Sequence, residues 1–95
     1  MKKYELMYIA NPQLDPEALK TLIADLNNVV TNNGGTILAL KEIGLKDLAY
    51  EINKHRKGYY VWLHVEATPA AVAEFNRVVR ITEEVIRFIV VKEGE

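Results

Sequence analysis

The sequence predicts an α+β fold, the ferredoxin-like sandwich, in which a four-stranded antiparallel sheet carries two helices on one face. Two observations lead to this prediction. Segments with strand and helix periodicity follow one another in the order β-α-β-β-α-β along the 95 residues. Each helical segment also lies between two strands, and right-handed crossovers then place both helices on the same side of the sheet. A chain of this length is expected to form one domain, residues 1–95.

The first third of the chain predicts a strand and then a helix. Lys2 to Ala10 has the alternation of a strand, and Asn11-Pro12 ends it. Asp15-Pro16 is typical of a helix start, because aspartate caps the free N–H groups and proline suits the first helical position. Apolar residues then recur at helical spacing. They are Leu19, Leu22, Ile23, Leu26 and Val30. The helix is expected to end at Asn32-Asn33-Gly34-Gly35, since glycine accepts the left-handed conformation of a C-terminal cap.

The middle of the chain predicts a long hairpin. Its first strand runs from Thr36 to Leu40, is interrupted at Gly44 and continues from Leu48 to Ile52. A glycine inside a strand often marks a bulge or a bend. We expect a polar, basic turn from Asn53 to Gly58, and the hairpin's second strand from Gly58 to Glu66.

The last third repeats the helix-then-strand pattern. Thr68-Pro69 gives the second capping signal. The apolar stripe of this helix consists of Val72, Phe75, Val78 and Val79. Val85 to Lys92 is the fourth predicted strand.

The third strand is apolar on both of its faces. Val61, Leu63 and Val65 supply one face, whereas Tyr60, Trp62 and His64 supply the other. In the predicted fold the helices cover only one side of the sheet, and the first and third strands form its central pair. We therefore predict a contiguous apolar patch on the uncovered side. Its residues are Met7, Ile9, Tyr60, Trp62, Ile89 and Val91. Such a patch is typical of an interaction site for RNA or another protein, and a homodimer interface or a register changed by a bulge remain the alternatives.

Catalysis and metal binding have little support in the sequence. Cysteine and serine are absent, and the two histidines, His55 and His64, do not have the spacing of a metal-binding pair. Gly34-Gly35 lies in no phosphate-binding motif. We therefore predict no enzymatic activity, no metal and no cofactor. No apolar run approaches the roughly 18 residues of a membrane span and no signal peptide is visible, so a cytoplasmic protein without membrane contact is expected.

The charge distribution allows only local contacts with nucleic acid. The formal net charge of −1 argues against RNA binding through bulk charge, but not against basic residues at the edges of the domain. The residues that we predict to contact phosphate are Lys2, Lys3, Lys46, Arg56, Arg80, Arg87 and Lys92. Tyr60 and Trp62 lie on a central strand, where RNA-recognition domains stack bases, although the ribonucleoprotein motif of those domains is absent.

One run of residues is more specific than these patterns. The run G-L-K-D-L-A-Y-E-I-N, Gly44 to Asn53, resembles the signature of the family of the sixth protein of the bacterial small ribosomal subunit. Four further segments resemble the same family: M-K-K-Y-E-L-M-Y-I at the start, the N-P-x-L-D loop from Asn11, G-Y-Y-V-W from Gly58 and I-R-F-I-V-V-K from Ile86. The resemblance covers essentially the whole chain.

The resemblance implies a ferredoxin-like fold without enzymatic activity, and a place in the small ribosomal subunit in the cytoplasm. It also implies a chain that is monomeric when free. In the subunit, such a protein binds the central domain of 16S ribosomal RNA as a heterodimer with the eighteenth small-subunit protein. Lys46-Asp47 departs from the two basic residues found there in many family members. The alternatives from other classes are a regulatory or ligand-binding domain of the same fold acting as a homodimer, and a small enzyme of the dimeric α/β-barrel kind.

Overall fold

The computed structural model describes residues 1–52 and 54–92, and only the backbone of Ala49, Ile52 and Lys92. Its elements follow the predicted order. They are β1 (Lys2–Ala10), α1 (Pro16–Asn32), β2 (Thr36–Ile52), β3 (His55–Ala67), α2 (Pro69–Ile81) and β4 (Val85–Lys92). The four strands form one sheet in the order β2-β3-β1-β4, with every neighbouring pair antiparallel. The ferredoxin-like fold and the central position of β1 and β3 are therefore confirmed.

The two helices begin where the capping signals predicted. The Asp15 carboxylate accepts a hydrogen bond from the backbone N–H of Ala18 at 2.7 Å, and Thr68 Oγ1 accepts one from Ala71 at 3.2 Å. Each bond satisfies an N–H group that has no partner within the helix. A proline stands in the first turn of each helix, as expected.

The hydrophobic core lies between the helices and one face of the sheet. Leu6 and Tyr8 of β1, together with Val61 and Leu63 of β3, have no exposed surface. The helices pack on this face with the residues that their periodicity singled out. Those that are buried are Leu22, Ile23, Leu26, Val30, Phe75 and Val79, whereas Leu19, Val72 and Val78 are partly buried around them. The predicted facing of both helices is thus confirmed.

The β2–β3 hairpin differs from the predicted one at its tip. Ile52 already pairs with His55, so the basic residues expected in a long turn belong to β3 instead. The prediction of a turn from Asn53 to Gly58 was therefore wrong; Asn53 itself lies outside the described residues. Lys54 adopts a positive φ of 68°, which allows a tight reversal, and exposed polar side chains do not prevent backbone pairing.

Gly44 bends the long second strand. Its φ of 102° is in the left-handed region that favours glycine, and the register of β2 against β3 shifts between Glu42 and Gly44. This β-bulge confirms the bend predicted at the glycine. Beyond it, Leu48 and Tyr50 line the same depression as Met7 of β1 and Ile89 of β4, so the hairpin extends along the sheet face that the helices leave uncovered.

Candidate interaction face

The uncovered side of the sheet, called here the open face, brings together the side chains predicted for the apolar patch. Met7 pairs with Trp62 on β3 and with Ile89 on β4, so these three residues lie side by side across the sheet. Ile89 is 45% exposed and Val91 is 50% exposed, whereas Met7, Tyr60 and Trp62 are half-buried. A contiguous apolar surface is therefore present where the alternation of the strands predicted it.

Ile9 corrects one part of that prediction. It lies on the open face, opposite Tyr60, but only 8% of it is exposed. The neighbouring Gly58 explains this burial, because a Cβ atom at Gly58 would lie 2.2 Å from Ile9 Cγ2. The glycine therefore lets the Ile9 side chain pack directly against the backbone of β3. Ile9 was wrongly predicted to be exposed, and it instead forms the bottom of a depression on this face.

That depression, the hairpin cleft, lies between the bent hairpin, β1 and β4. Its volume is about 190 Å³. The cleft is lined by Met7, Ile9, Leu48, Tyr50, Tyr60, Arg87, Phe88 and Ile89. Five of these residues were predicted from the sequence to be site residues, Arg87 as an RNA contact and the other four as contacts of a protein partner. Leu48, Tyr50 and Phe88 were not predicted, although the alternation of Leu48 and Tyr50 after Gly44 is visible in the sequence.

Arg87 connects the two sides of the cleft. Its Nη1 group donates a short hydrogen bond to the hydroxyl oxygen of Tyr50, which joins β4 to the hairpin. Over residues 1–52 and 54–92, no carboxylate forms an ion pair with Arg87. The guanidinium is exposed at the edge of an otherwise apolar cleft, with a neutral hydroxyl as its described partner.

Trp62 lies beside the cleft, near the centre of the open face. Its indole N–H donates a hydrogen bond to Glu5 Oε1 at 3.1 Å. Its ring also stacks with His64, with 6.0 Å between the ring centroids and 28° between the planes. These contacts hold the indole in one orientation and leave part of it accessible, an arrangement suited to contact with a second surface.

The basic residues predicted to contact RNA fall into two groups at opposite ends of the sheet. Lys2 and Lys3 begin β1, and the pairing of Tyr4 with Lys92 places the end of β4 beside them. The second group lies about 20 Å away along β1, toward the hairpin. Its members are Lys46, Arg56, Arg80 and Arg87. The structure therefore does not combine the seven residues into one basic patch.

Besides Arg87, which donates to Tyr50, two residues of the second group have partners within the chain. Arg56 forms a 3.7 Å ion pair with Glu51, and both side chains are largely exposed. Arg80 donates a hydrogen bond to Asn76 Oδ1 at 3.1 Å. Contacts as exposed as these are weak in water, so they do not prevent either side chain from turning to a phosphate.

Within the described part of the chain, the ionisable groups with perturbed pKa values do not form a catalytic arrangement. The hydroxyl of Tyr59 donates a hydrogen bond to Glu42 Oε1 at 2.8 Å, and this bond raises the pKa of Tyr59. Burial, and then the nearby Glu42 charge, raises the pKa of Tyr8. Both tyrosines therefore stay protonated at neutral pH. Among the residues described, no three His, Asp or Glu side chains are arranged to hold a metal ion.

The fold and the face together define a class of protein, a ferredoxin-like α+β chain with a largely apolar uncovered sheet face. Neither described helix is long and apolar enough to cross a membrane.

The sequence model of the family described as Ribosomal protein S6 matches residues 3–92. The chain is 77% identical over 95 residues to small ribosomal subunit protein bS6 of Acholeplasma laidlawii, with full coverage of both chains. It is 50% identical, again over the full length of both, to bS6 of Halalkalibacterium halodurans.

A solved structure agrees with these relatives. The crystal structure of 30S ribosomal protein S6 from Thermotoga maritima matches with a TM-score of 0.93 and 25% identity, over 97% of this chain and 87% of that one. An Arabidopsis thaliana protein shares the fold alone, with a TM-score of 0.56 and 16% identity over 100% of this chain and 95% of that one. The chain belongs to the ribosomal protein S6 family of the small subunit. The members of this family are structural proteins of the ribosome, which agrees with the prediction that the chain is not an enzyme.

Proposed function

We propose that this protein binds the central domain of 16S ribosomal RNA together with the eighteenth small-subunit protein, and that it aids assembly of the subunit in the cytoplasm. The observation that carries the proposal is membership of the S6 family over residues 3–92. Two features of the molecule support it. The open face offers an apolar surface for a protein, and basic side chains at both ends of the sheet are available to phosphate.

The protein partner is assigned to the open face. Met7, Tyr60 and Trp62 supply residue types that are enriched in protein interfaces, and Ile89 and Val91 extend the same surface to β4. Ile9 supports this surface from below. Burial of the patch in a heterodimer removes exposed apolar area from water, which is the main favourable contribution to most protein associations.

The RNA is assigned to the two ends of the sheet. Lys2, Lys3 and Lys92 are proposed to contact phosphate at one end, and Lys46, Arg56 and Arg80 at the other. With a net charge of −1 the chain has little non-specific attraction for RNA, so we expect tight binding only when the partner protein adds its own contacts.

Reconstitution tests the proposal directly. The chain, the eighteenth protein of the same organism and a central-domain fragment of 16S RNA would be combined in pairs and then together. Light scattering is expected to give a monomer for the chain alone and a 1:1 heterodimer with the protein. Titration of the RNA is expected to give a ternary complex that weakens with salt, while an unrelated folded RNA of equal length binds much less tightly.

Two results would contradict the proposal. A stable homodimer that does not bind the eighteenth protein would favour the regulatory or ligand-binding alternative. Equal affinity for the central-domain fragment and for the unrelated RNA would show that the contacts are not specific to the ribosome.

A further inference from the structure

We propose that the hairpin cleft holds one apolar side chain of the protein partner, and that Arg87 pairs there with a carboxylate adjacent to that side chain. The inference rests on the proposed heterodimer and states the chemistry by which the partner is recognised. Arg87, which was predicted from the sequence to contact phosphate, is thereby assigned to the contact with the partner protein.

The size and lining of the cleft favour a single side chain. Its volume of about 190 Å³ lies below the roughly 300–1,000 Å³ of typical small-molecule sites. Ile9 at the bottom is almost fully buried, and Met7, Leu48 and Ile89 supply further hydrocarbon. Interface residues that contribute most to affinity are typically anchors that fill such a pocket near the centre of the contact.

An RNA base fits this lining less well. Each base carries several hydrogen-bond donors and acceptors on its edges, and unsatisfied polar groups are costly to bury. Apart from the two hydroxyls of Tyr50 and Tyr60, the described side chains lining the cleft offer only Arg87 as a polar group. An apolar protein side chain needs no such partners.

Arg87 supplies the charge complementarity. Its guanidinium lies at the edge of an apolar cleft with a neutral hydroxyl as its described partner, and no described carboxylate of this chain forms an ion pair with it. The planar guanidinium is suited to two parallel hydrogen bonds with a carboxylate. The hydrogen bond to Tyr50 already holds the guanidinium beside the cleft, which lowers the entropic cost of forming that pair.

The first experiment measures the affinity of variants for the eighteenth small-subunit protein by calorimetry. We expect Arg87→Met to weaken binding about 30-fold or more, since truncating one member of an interfacial charge pair leaves the other unpaired. Arg77→Met is the matched control, because Arg77 is an exposed guanidinium on α2 that pairs with Glu74 at 2.7 Å. It should change the affinity less than about twofold.

The apolar part of the proposal has its own pair of variants. Leu48→Ala enlarges the cleft and should weaken partner binding about fivefold or more. Leu45→Ala is the control, because Leu45 lies on the same strand, is 55% exposed and does not line the cleft. Denaturant midpoints for all four variants establish that each one is folded during the binding measurement.

A charge exchange identifies the carboxylate. Arg87→Glu should bind poorly, and replacing one acidic residue of the partner by arginine should restore at least tenfold of the lost affinity. If the unmodified chain does not bind the partner, the proposed function fails. If it binds but no acidic position restores Arg87→Glu, or if Arg87→Met loses affinity for the central-domain RNA fragment and not for the partner, the cleft inference alone is overturned.

Discussion

Gly58 leaves room on the open face for the Ile9 side chain to pack against the backbone of the third strand. A methyl group at this position would lie 2.2 Å from Ile9 Cγ2, far inside van der Waals contact. We predict that Gly58→Ala destabilises the fold by about 1–3 kcal/mol, because the added atom forces Ile9 or the strand to move. Denaturant unfolding measures the change. Ala39→Val, which adds atoms at an exposed position on β2, is the control and should leave the midpoint nearly unchanged.

The Phe75 side chain is almost fully buried in the core. Only 1% of it is exposed, and its ring lies 6.4 Å from that of Tyr8. We expect Phe75→Ala to cost about 3–5 kcal/mol, a large part of the roughly 5–15 kcal/mol that stabilises a typical domain. Ile81→Ala, at a 68% exposed position at the end of the same helix, should cost much less. Equal denaturant midpoints for Phe75→Ala and the parent chain would contradict the facing of α2.

The sequence predicts which face a side chain occupies better than how exposed it is. Alternation placed Met7, Trp62 and Ile89 on one face correctly, because the period of a strand is fixed by its backbone. It could not show that Ile9 is buried, since that depends on the absence of a side chain at Gly58 and on the path of the hairpin. Both features act on Ile9 from parts of the chain that are distant from it in sequence.

At the scale of elements, the starts of the helices could be predicted from the sequence, because they depend on residues close together in the chain. The Asp15 cap was predictable since the bond that it makes to Ala18 involves only residues three positions apart. The start of β3 was not, because its pairing with β2 extends through exposed basic residues that look like a turn. The cleft was missed for a related reason: it exists only where the bent hairpin lies over β1 and β4.

The Asp15 cap gives a prediction for α1. Asp15→Ala should lower the free energy of unfolding by about 0.5–2 kcal/mol, because the N–H of Ala18 loses its acceptor. Asp25→Ala removes the same charge from an exposed position in the middle of the helix. Alanine favours the helix there, so this control should be neutral or slightly stabilising. Equal effects of the two substitutions in denaturant unfolding would indicate that charge, not capping, matters.

Across the whole molecule, the separation of the basic groups predicts two independent contributions to RNA binding. Lys2→Ala and Arg80→Ala, at opposite ends of the sheet, should each flatten the salt dependence of heterodimer binding to RNA by about one unit of slope. The double variant should lose about two, because distant contacts add. Lys20→Ala, at an exposed position on α1, is the control. Unchanged slopes for Lys2→Ala and Arg80→Ala would remove both from the interface.

Trp62 tests the assignment of the open face as a whole. The ring is half-buried and is oriented by Glu5 and His64, so its accessible part is available to a second surface. We predict that Trp62→Ala weakens heterodimer formation by about 2 kcal/mol or more, since tryptophan is among the residues that most often dominate interface energy. Folding stability should fall by less than it does for Phe75→Ala.

Three titrations of Trp62→Ala, with partner protein, with RNA and with denaturant, separate the possible roles of this face. A loss confined to the partner titration confirms a protein interface. A loss of about 1–3 kcal/mol in binding to RNA alone would instead indicate that the indole stacks on a base. Normal partner binding with a loss of several kcal/mol in unfolding would make Trp62 a packing residue. In that case the partner would be recognised by the rest of the open face, the exposed Ile89 and Val91 together with the hairpin cleft.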